Sequence, residues 1–281
     1  MTTAYRAAVL GSPIAHSLSP VLHRAAYQRL GQTGRSYEAF EVDEAALPGF
    51  LRGLDLTQWC GLSLTMPLKR AIMPMLEAVS ETALTVEAVN TVLFGQNGAL
   101  SGENTDVPGF VAAFAERGIT AAETATVLGG GATAASALAA LSSIVHGGGV
   151  DIYVRSLARA DELRPVAERL GVELRVHGWD GAVTALASPL VVNTTPAGAA
   201  DELAEGVTKP VGTLFDVIYH PWPTRLAAAW QQAGGTVLGG LDLLIHQAAL
   251  QVELMTGADP AQRDTVVAAM REAGTAALSE R

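Results

Sequence analysis

The 281-residue sequence contains few of the residues on which several classes of protein depend. Cys60 is the only cysteine, so no disulfide can form within the chain. Because Cys60 lies in an apolar run, we interpret it as a small buried side chain rather than a reactive thiol. The six histidines are scattered and no cysteine cluster accompanies them, so we expect no metal site.

Positive charge is also scarce, since 18 Lys and Arg residues stand against 28 Asp and Glu residues and give a net charge of −10. Without a basic cluster we expect no nucleic acid partner. No run of about 18 apolar residues is present to span a bilayer. The N-terminal residues lack the basic and then apolar pattern of a signal peptide. We therefore expect a cytoplasmic chain.

Apolar residues are abundant, at 49% of the chain, and the length suits two ordinary domains. Short β-branched runs alternate with helical patterns, which is typical of an α/β fold with mainly parallel sheets covered by helices. In the first half, this pattern predicts strands at Tyr5–Leu10, Ser36–Val42 and Cys60–Thr65, helices at Pro20–Leu30 and Asp43–Gly53, and a hairpin of Val89–Phe94 and Ala99–Ser101 around Asn97-Gly98.

A second alternating series begins near Ala125. It predicts strands at residues 125–129, Val150–Val154, Glu173–Val176, Leu190–Asn193, Thr213–Ile218 and Thr236–Leu238, with helices at Ala132–Val145 and Ala158–Leu170. Two closing helices, Leu241–Met255 and Pro260–Ala273, follow without a long linker, so we expect them to return to the first domain. We place the domain boundary at Asp106. Residues 1–105, completed by 241–281, form one domain, and 106–240 form the other.

A glycine turn lies between a predicted strand and a predicted helix at residues 126–145. Its residues, Gly129-Gly130-Gly131-Ala132-Thr133-Ala134, match the dinucleotide-binding pattern G-x-G-x-x-G/A. In this context Gly129 permits the tight turn and Gly131 lets a pyrophosphate approach the backbone. The helix N-terminus offers free N–H groups to the phosphates. The alternative is a merely flexible turn.

The end of the next strand indicates which dinucleotide binds. An NAD site places a carboxylate there for the ribose hydroxyls, whereas here Val154 is followed by Arg155, Ser156 and Arg159. Guanidinium groups suit the 2′-phosphate of NADP through bidentate hydrogen bonds. The sequence therefore indicates NADP as the cofactor. The alternative is a solvated arginine pair on a surface helix.

Polar residues also follow the strands of the first half, where α/β sheets place ligands. Ser19-Pro20 predicts a helix start, with Ser19 as N-cap and Pro20 in the first position, and Ser17 lies beside it. Lys69 falls in the first turn of another helix, where the macrodipole disfavours a cation and tends to lower the pKa of a lysine. Asp106 precedes a further helix, for which it is a candidate N-cap.

The chain resembles the shikimate dehydrogenase family nearly from end to end. The matching segments, in the family's order, are GSPIAHSLSP, SLTMPLK, AVNTV, GENTD, VLGGGATAAS, VRSLAR, VVNTTPAG, FDVIYHPWPT and GGLDLLIHQAALQ. The resemblance implies a substrate-binding catalytic domain, 1–105 with 241–281, and a Rossmann-like NADP-binding domain, 106–240. It also implies the reversible, NADPH-dependent reduction of 3-dehydroshikimate to shikimate on the route to aromatic amino acids.

The resemblance implies roles for individual residues. Lys69 and Asp106 match the family's catalytic pair. Ser17 and Ser19 would hold the substrate carboxylate with help from Tyr219, and Thr65, Asn90, Asp106 and Gln247 would hold ring hydroxyls. Gly129, Gly130, Gly131, Ala132 and Thr133 would cradle the pyrophosphate, and Arg155, Ser156 and Arg159 the 2′-phosphate. Asn193, Thr194, Thr195, Val217 and Gly240 would line the nicotinamide side.

Three departures from the family pattern stand out. Ala132 occupies a position that is usually glycine, and we expect its methyl group to crowd the pyrophosphate slightly. Val154 replaces a frequent asparagine, whose loss weakens contacts with the adenosine phosphate. Glu87 lies where a glycine-like residue is usual. Quinate/shikimate and aminoshikimate dehydrogenases remain as alternative functions because they share the scaffold and the Lys/Asp pair. A non-catalytic NADP-binding regulator is a further alternative, although it predicts loss of Lys69 or Asp106.

Overall fold

The structure, a computed structural model, describes residues 5–95, 98–208 and 212–281, and the side chain of Arg159 is outside that description. The predicted hairpin turn at Asn97-Gly98 therefore lies partly outside the described residues. Two compact units are present. One runs to Thr105 and resumes with Leu244–Arg281, and the other is Asp106–Leu243.

Strands and helices alternate through most of the chain. The strands are β1 (Arg6–Gly11), β2 (Ser36–Glu41), β3 (Trp59–Leu64), β4 (Ala78–Val79), β5 (Thr91–Phe94), β6 (Leu100–Glu103), β7 (Ala125–Leu128), β8 (Val150–Val154), β9 (Leu174–Gly178), β10 (Leu190–Asn193), β11 (Thr213–Asp216) and β12 (Thr236–Gly239). The α-helices are α1 (Ser19–Arg29), α2 (Leu47–Arg52), α3 (Leu68–Ala71), α4 (Glu81–Val86), α5 (Asp106–Glu116), α6 (Ala132–Ser142), α7 (Leu157–Asp161), α8 (Arg164–Leu170), α9 (Arg225–Gln232), α10 (Gly240–Thr256) and α11 (Arg263–Ser279).

The sheet of the first unit is mixed, with the strand order β2-β1-β3-β5-β6-β4. β1 runs parallel to β2 and β3, whereas β5 is antiparallel to β3 and β6. The predicted pairing of the two hairpin strands is thus confirmed. Because β1 and β3 are parallel and β5 enters antiparallel, the ends of β1 and β3 meet the start of β5 at one edge of the sheet. Buried side chains such as Leu10, Leu62 and Leu64 form the core beneath it.

The sheet of the second unit is fully parallel, in the order β12-β11-β10-β7-β8-β9. From β7, the chain first adds β8 and β9 on one side and then β10, β11 and β12 on the other. The crevice outside the carboxyl ends of β7 and β10 is therefore the topological switch point, where such sheets bind ligands. Helix α6 follows β7 and is buried along Ala134–Leu141. The predicted α/β class is confirmed in both units.

Several predicted boundaries shift for local reasons. The single helix predicted at Ala158–Leu170 is two helices, α7 and α8, because Pro165 lies in the first turn of α8, where it cannot continue a preceding helix. The helix predicted from Asp43 begins only at Leu47, and the Asp43 carboxylate instead accepts the Ala46 N–H at 2.8 Å. The last helix begins as a 3₁₀ turn at Pro260–Gln262 and extends to Ser279.

Short elements escaped the sequence analysis altogether. They are β4, α4 and α9, together with the 3₁₀ helices Met73–Met75, Trp179–Ala187 and Asp201–Gly206. Glu87 ends α4 with a left-handed φ of 51°. A left-handed backbone favours glycine, so Glu87 holds a conformation that a glycine would adopt more readily.

No helix in the described part of the chain combines the length and the apolar character that crossing a membrane requires.

Candidate active site

The loop between β1 and α1 carries both predicted carboxylate-binding serines. The Ser17 hydroxyl accepts the Ser19 N–H at 3.3 Å. The prediction that Ser19 is the N-cap is wrong, because α1 already begins at Ser19 and the capping position is held by Leu18 without a side-chain bond. Pro20 lies in the first turn as expected. The loop is fixed by Glu41, whose carboxylate accepts the Ser12 hydroxyl at 2.7 Å and the Ile14 N–H at 3.0 Å.

Thr65 and Lys69 follow β3 at the same edge of this sheet. The Thr65 N–H donates to the carbonyl of Leu10, the residue before the last of β1, at 2.9 Å. The Lys69 carbonyl accepts the Val89 N–H at 2.8 Å, which brings α3 against the start of β5. Helix α3 has only four residues, so it produces little of the macrodipole that the sequence analysis assigned to it.

Asn90 and Gln247 meet although 157 positions separate them. The Asn90 Nδ2 donates to the Thr105 hydroxyl at 2.9 Å and approaches the Gln247 Oε1 at 3.4 Å. Both side chains are buried. Helix α10 therefore completes the polar edge formed by β1, β3 and β5, as the predicted return of the C-terminal helices requires. Six predicted site residues share this unit: Ser17, Ser19, Thr65, Lys69, Asn90 and Gln247.

Asp106 and Tyr219 belong to the second unit. Asp106 is the first residue of α5 and is buried. Tyr219 is half-buried and follows β11. The pairing of Asp106 with Lys69, and the role of Tyr219 near the substrate carboxylate, stay predictions.

The glycine turn of the second unit lies at the switch point. Gly129 has a φ of 109°, and a Cβ there would lie 2.6 Å from the Thr194 hydroxyl oxygen, so this position requires glycine. A Cβ at Gly131 would meet no atom within 4 Å. Gly131 occupies the N-cap position of α6 without a side-chain bond. The turn thus leaves open space before a helix N-terminus whose N–H groups face it, which suits a phosphate. The turn also contains the other residues predicted to cradle the pyrophosphate, Gly130, Ala132 and Thr133.

Asn193, Thr194 and Thr195 follow β10 on the other side of the switch point. The Thr194 hydroxyl donates to the Leu128 carbonyl at 2.9 Å and so holds this loop against the end of β7. The Asn193 Oδ1 accepts the Thr195 hydroxyl at 2.7 Å, and its Nδ2 donates to Asp216 at 3.1 Å. Asn193, Thr194 and Thr195 are therefore held by hydrogen bonds within this loop and to Leu128 and Asp216.

Asp216, at the end of β11, was missed by the sequence analysis. Burial raises the pKa of its carboxyl group, although the Thr224 hydroxyl, the Ile218 N–H and Asn193 all donate to it. The carboxylate thereby fixes the start of the segment that contains Val217. Gly240 packs on this segment, because a Cβ at Gly240 would overlap the Val217 carbonyl. An acidic residue at the end of an otherwise apolar strand was the available signal.

The end of β8 presents Arg155 and Ser156, both exposed. The side chain of Arg159, the third predicted contact with the 2′-phosphate, is outside the described part of the chain. The only carboxylate of β8 is Asp151, which accepts two bonds from Arg175, at 2.6 and 3.0 Å, and one from His177 at 2.6 Å. The hydrogen bonds of Arg175 hold the pKa of Asp151 below its usual value. The Asp151 carboxylate is thus bonded to side chains of β9, the neighbouring strand.

Within the described ranges, no group of three or more His, Cys, Asp or Glu side chains is placed to hold a metal ion.

Comparison with known proteins matches both ends of the chain to one family. Residues 9–92 match the family model "Shikimate dehydrogenase substrate binding domain", and residues 240–273 match "Shikimate 5′-dehydrogenase C-terminal domain". A relative named shikimate dehydrogenase (NADP(+)), from Oleidesulfovibrio alaskensis, is 39% identical over 257 residues, which are 89% of this chain and 88% of the relative.

Solved structures agree with these matches. The crystal structure of Mycobacterium tuberculosis shikimate dehydrogenase superimposes with a TM-score of 0.84 at 38% identity, covering 95% of this chain and 99% of that one. The shikimate 5-dehydrogenase of Thermus thermophilus, solved in complex with NADP(H) and shikimate, gives a TM-score of 0.79 at 35% identity, covering 96% and 99%.

Proposed function

The chain belongs to the shikimate dehydrogenase family, and on this premise we propose how its own residues carry out the reversible, NADPH-dependent reduction of 3-dehydroshikimate to shikimate. The observation that carries the proposal is the meeting of Asn90 and Gln247. Both are buried, both come from segments that resemble the family, and they are hydrogen-bonded in the unit that contains Lys69. They bring together two distant parts of the sequence in one polar site.

The residues of the second unit fit NADP(H). The space at Gly131 and the uncapped start of α6 suit a pyrophosphate. Arg155, at the end of β8, offers a guanidinium to a 2′-phosphate, and the one carboxylate of that strand is held by Arg175. When bound, NADPH supplies the hydride that the ketone carbon accepts, and NADP receives it in the reverse direction.

Lys69 acts as the general acid and base. As an ammonium it donates a proton to the ketone oxygen as that oxygen gains charge, and in the oxidation of shikimate it takes the proton from the hydroxyl. Asp106, which matches the other member of the family's catalytic pair, orients the neighbouring hydroxyl. The backbone of Lys69 is fixed by the Val89 N–H, so its side chain starts from a defined position beside Asn90.

Neutral donors recognise the substrate. Ser17 and Ser19 bind the carboxylate through hydroxyl and backbone groups, and Thr65, Asn90 and Gln247 bind ring hydroxyls. This assignment suits a chain with a net charge of −10. The substrate is then distinguished from similar molecules by the geometry of hydrogen bonds rather than by a basic patch. The same charge opposes nucleic acid binding. We propose that small molecules are the partners of the chain, which acts in the cytoplasm as a monomer or a homodimer.

A turnover assay tests the function directly. Purified protein is given shikimate or quinate with NADP or NAD, and reduction of the nicotinamide is followed by its absorbance. We expect shikimate with NADP to give the highest kcat/KM. Preferred turnover of quinate with NAD would replace the proposal with a catabolic activity, and absence of turnover with every pair would favour a regulator.

A further inference from the structure

Asn90 stands at the end of a buried chain of side-chain hydrogen bonds. The Tyr37 hydroxyl donates to Ser63 at 2.6 Å, and Ser63 donates to the Gln251 Oε1 at 2.7 Å. The Gln251 Nε2 donates in turn to the Thr91 hydroxyl at 3.0 Å and to the Asn90 carbonyl at 3.3 Å. Thr91 completes the chain by donating to the Asn90 Oδ1 at 2.9 Å.

The chain has one direction, because each hydroxyl has a single proton to donate. Thr91 receives the N–H of Gln251 and directs its own proton to the Asn90 Oδ1 at 2.9 Å, which is nearer than the Thr105 hydroxyl at 3.4 Å. The Thr105 N–H donates to the same oxygen at 2.8 Å. With its oxygen occupied by two donors, the Asn90 amide presents its Nδ2 toward Thr105 and Gln247. The orientation of the Asn90 amide is thereby fixed.

Burial makes this arrangement costly to disturb. Tyr37 and Thr91 are fully buried, Gln251 is 1% exposed and Ser63 is 4% exposed. Burial also raises the pKa of Tyr37, which keeps the phenol protonated as the first donor. A buried polar group that loses its hydrogen-bond partner is desolvated without compensation, so each member of the chain depends on the next.

Gln251 is the least expected member of this hydrogen-bonded chain, because it is a polar side chain among buried apolar residues of α10. Its neighbours on α10, Ala248 and Val252, are fully buried and apolar. Burying a glutamine in such a place is costly unless both the oxygen and the nitrogen of its amide are hydrogen-bonded. Gln251 also follows Gln247 by four residues, so the two amides lie on the same face of α10.

The other end of the chain lies beneath the loop that carries the serines. The His23 ring stacks on Tyr37, with centroids 3.8 Å apart and an interplanar angle of 18°. The His23 Nδ1 lies 2.9 Å from the Ser19 carbonyl. One continuous set of buried contacts therefore connects the backbone at Ser19 with the amide of Asn90.

We propose that Gln251, supported by Ser63 and Tyr37, is a positioning residue that fixes Asn90 as a donor to a substrate hydroxyl. The proposal rests on the proposed function, in which Asn90 binds the substrate. Gln251 acts through Asn90 and Thr91, and its effect therefore falls on substrate affinity rather than on the chemical step.

Kinetics of a nearly isosteric variant test the proposal. Gln251→Glu keeps the shape of the side chain but removes its N–H donors, so Thr91 no longer has to donate to Asn90. We expect the KM for shikimate to rise about tenfold, while kcat and the KM for NADP stay within about twofold. Ser63→Ala, which introduces no charge, breaks the same chain one step earlier and should raise the KM for shikimate in the same direction.

Two controls separate positioning from stability. Val252→Ala removes buried methyl groups from the adjacent position of α10, so it should lower the melting temperature and leave the KM for shikimate unchanged. In an Asn90→Ala background, Gln251→Glu should have no further effect on that KM, because the residue through which Gln251 acts is gone.

The proposal is overturned if Gln251→Glu and Ser63→Ala both keep the wild-type KM, if Val252→Ala raises it equally, or if the effects of Gln251→Glu and Asn90→Ala are additive. Failure of the proposed function is a separate result, since it appears as absence of shikimate turnover in the wild-type protein.

Discussion

The two units form their candidate sites by different means. In the first unit, buried side chains bond to one another, as Asn90, Thr91 and Gln251 do. In the second unit, Asn193 and Asp216 also bond to each other, but the phosphate-binding part of the site is shaped by the backbone, through the turn at Gly129, and Gly240 lies directly on the Val217 carbonyl. A small polyhydroxylated substrate differs from its analogues in the placement of hydroxyl groups, which directed side chains can discriminate. A dinucleotide presents phosphates, which backbone N–H groups and a guanidinium can bind.

This difference predicts different responses to substitution. In the first unit, a change of one side-chain atom should alter substrate kinetics with little change of shape. In the second unit, the added methyl group of an alanine should decide whether the cofactor binds or whether the unit folds. The following substitutions test each side of the comparison.

The largest expected effect is that of Lys69→Ala. Loss of the general acid should lower kcat by about 10²- to 10⁴-fold with a smaller change in the KM for shikimate. Lys69→Arg should be similarly impaired, because a guanidinium keeps its proton at neutral pH. Arg29→Ala, which removes an exposed cation of α1, is the control and should be neutral. A Lys69→Ala variant that keeps most of its kcat would exclude Lys69 from proton transfer.

Two glycines of the second unit should separate binding from folding. Gly240→Ala places a methyl group on the Val217 carbonyl and should cost about 3 kcal/mol of unfolding free energy. Gly131→Ala meets no atom within 4 Å, so stability should be unchanged while the KM for NADP rises about tenfold, because the methyl group occupies space for the pyrophosphate.

Gly34→Ala is the matched control, since its Cβ also meets nothing within 4 Å but lies in the other unit. Denaturant unfolding and NADP titration measure both quantities. A Gly131→Ala variant with unchanged affinity for NADP would contradict the assignment of the turn.

The free energy of unfolding should depend on pH with opposite signs for two buried titratable groups, one in each unit. Desolvation lowers the pKa of His23 from 6.5 to about 4. Between these values the unfolded chain binds a proton that the folded chain excludes, so about 3 kcal/mol of stability should be lost as the pH falls from 6.5 to 4. Asp216 has a raised pKa, so its contribution is present at low pH and declines as the pH rises through that pKa.

Unfolding free energies of wild type, His23→Phe and Asp216→Asn over this pH range test the two signs. His23→Phe keeps an aromatic ring against Tyr37 and should show a shallower loss of stability on acidification. Equal slopes for His23→Phe and wild type would mean that His23 is not buried as a neutral ring.

An effect as small as that of Gly131→Ala concerns the choice of cofactor. Arg155→Ala removes a charge-assisted contact with the 2′-phosphate and should raise the KM for NADP about tenfold without changing the KM for NAD. Arg164→Ala is the control, because Arg164 is exposed and bonds to Asp161 at 3.2 Å. If the KM values for NADP and NAD rise equally in Arg155→Ala, this arginine does not discriminate between them.

The site could be predicted in part because some of its signals are local. The glycine turn, the arginine after β8 and the serines after β1 each lie within a few residues of a strand end. Gln251 could also have been found, since it follows Gln247 by one helical turn. Ser63 and Thr91 could not, because a serine or threonine in a strand carries no mark of its partner until the register Ser63↔Thr91 is known.

The helices and strands also differed in how well local sequence patterns predicted them. Long periodic segments such as α10 were predicted to within one residue at each end. The boundary at Asp106 was set where one alternating series ended, and α5 begins there. The two residues of β4 were missed because a strand that short has no period, and its pairing with β6 is determined by long-range contacts.

The sequence by itself determined the α/β class, the family and the residue types available for chemistry, because alternation, turn residues and glycine spacing are properties of neighbouring positions. The tertiary structure alone decided which of those residues meet. Hydrogen bonds between Asn90, Gln247 and Gln251 join positions more than 150 residues apart. Such contacts depend on the complete packing of α10 against the sheet, which no local pattern of residues contains.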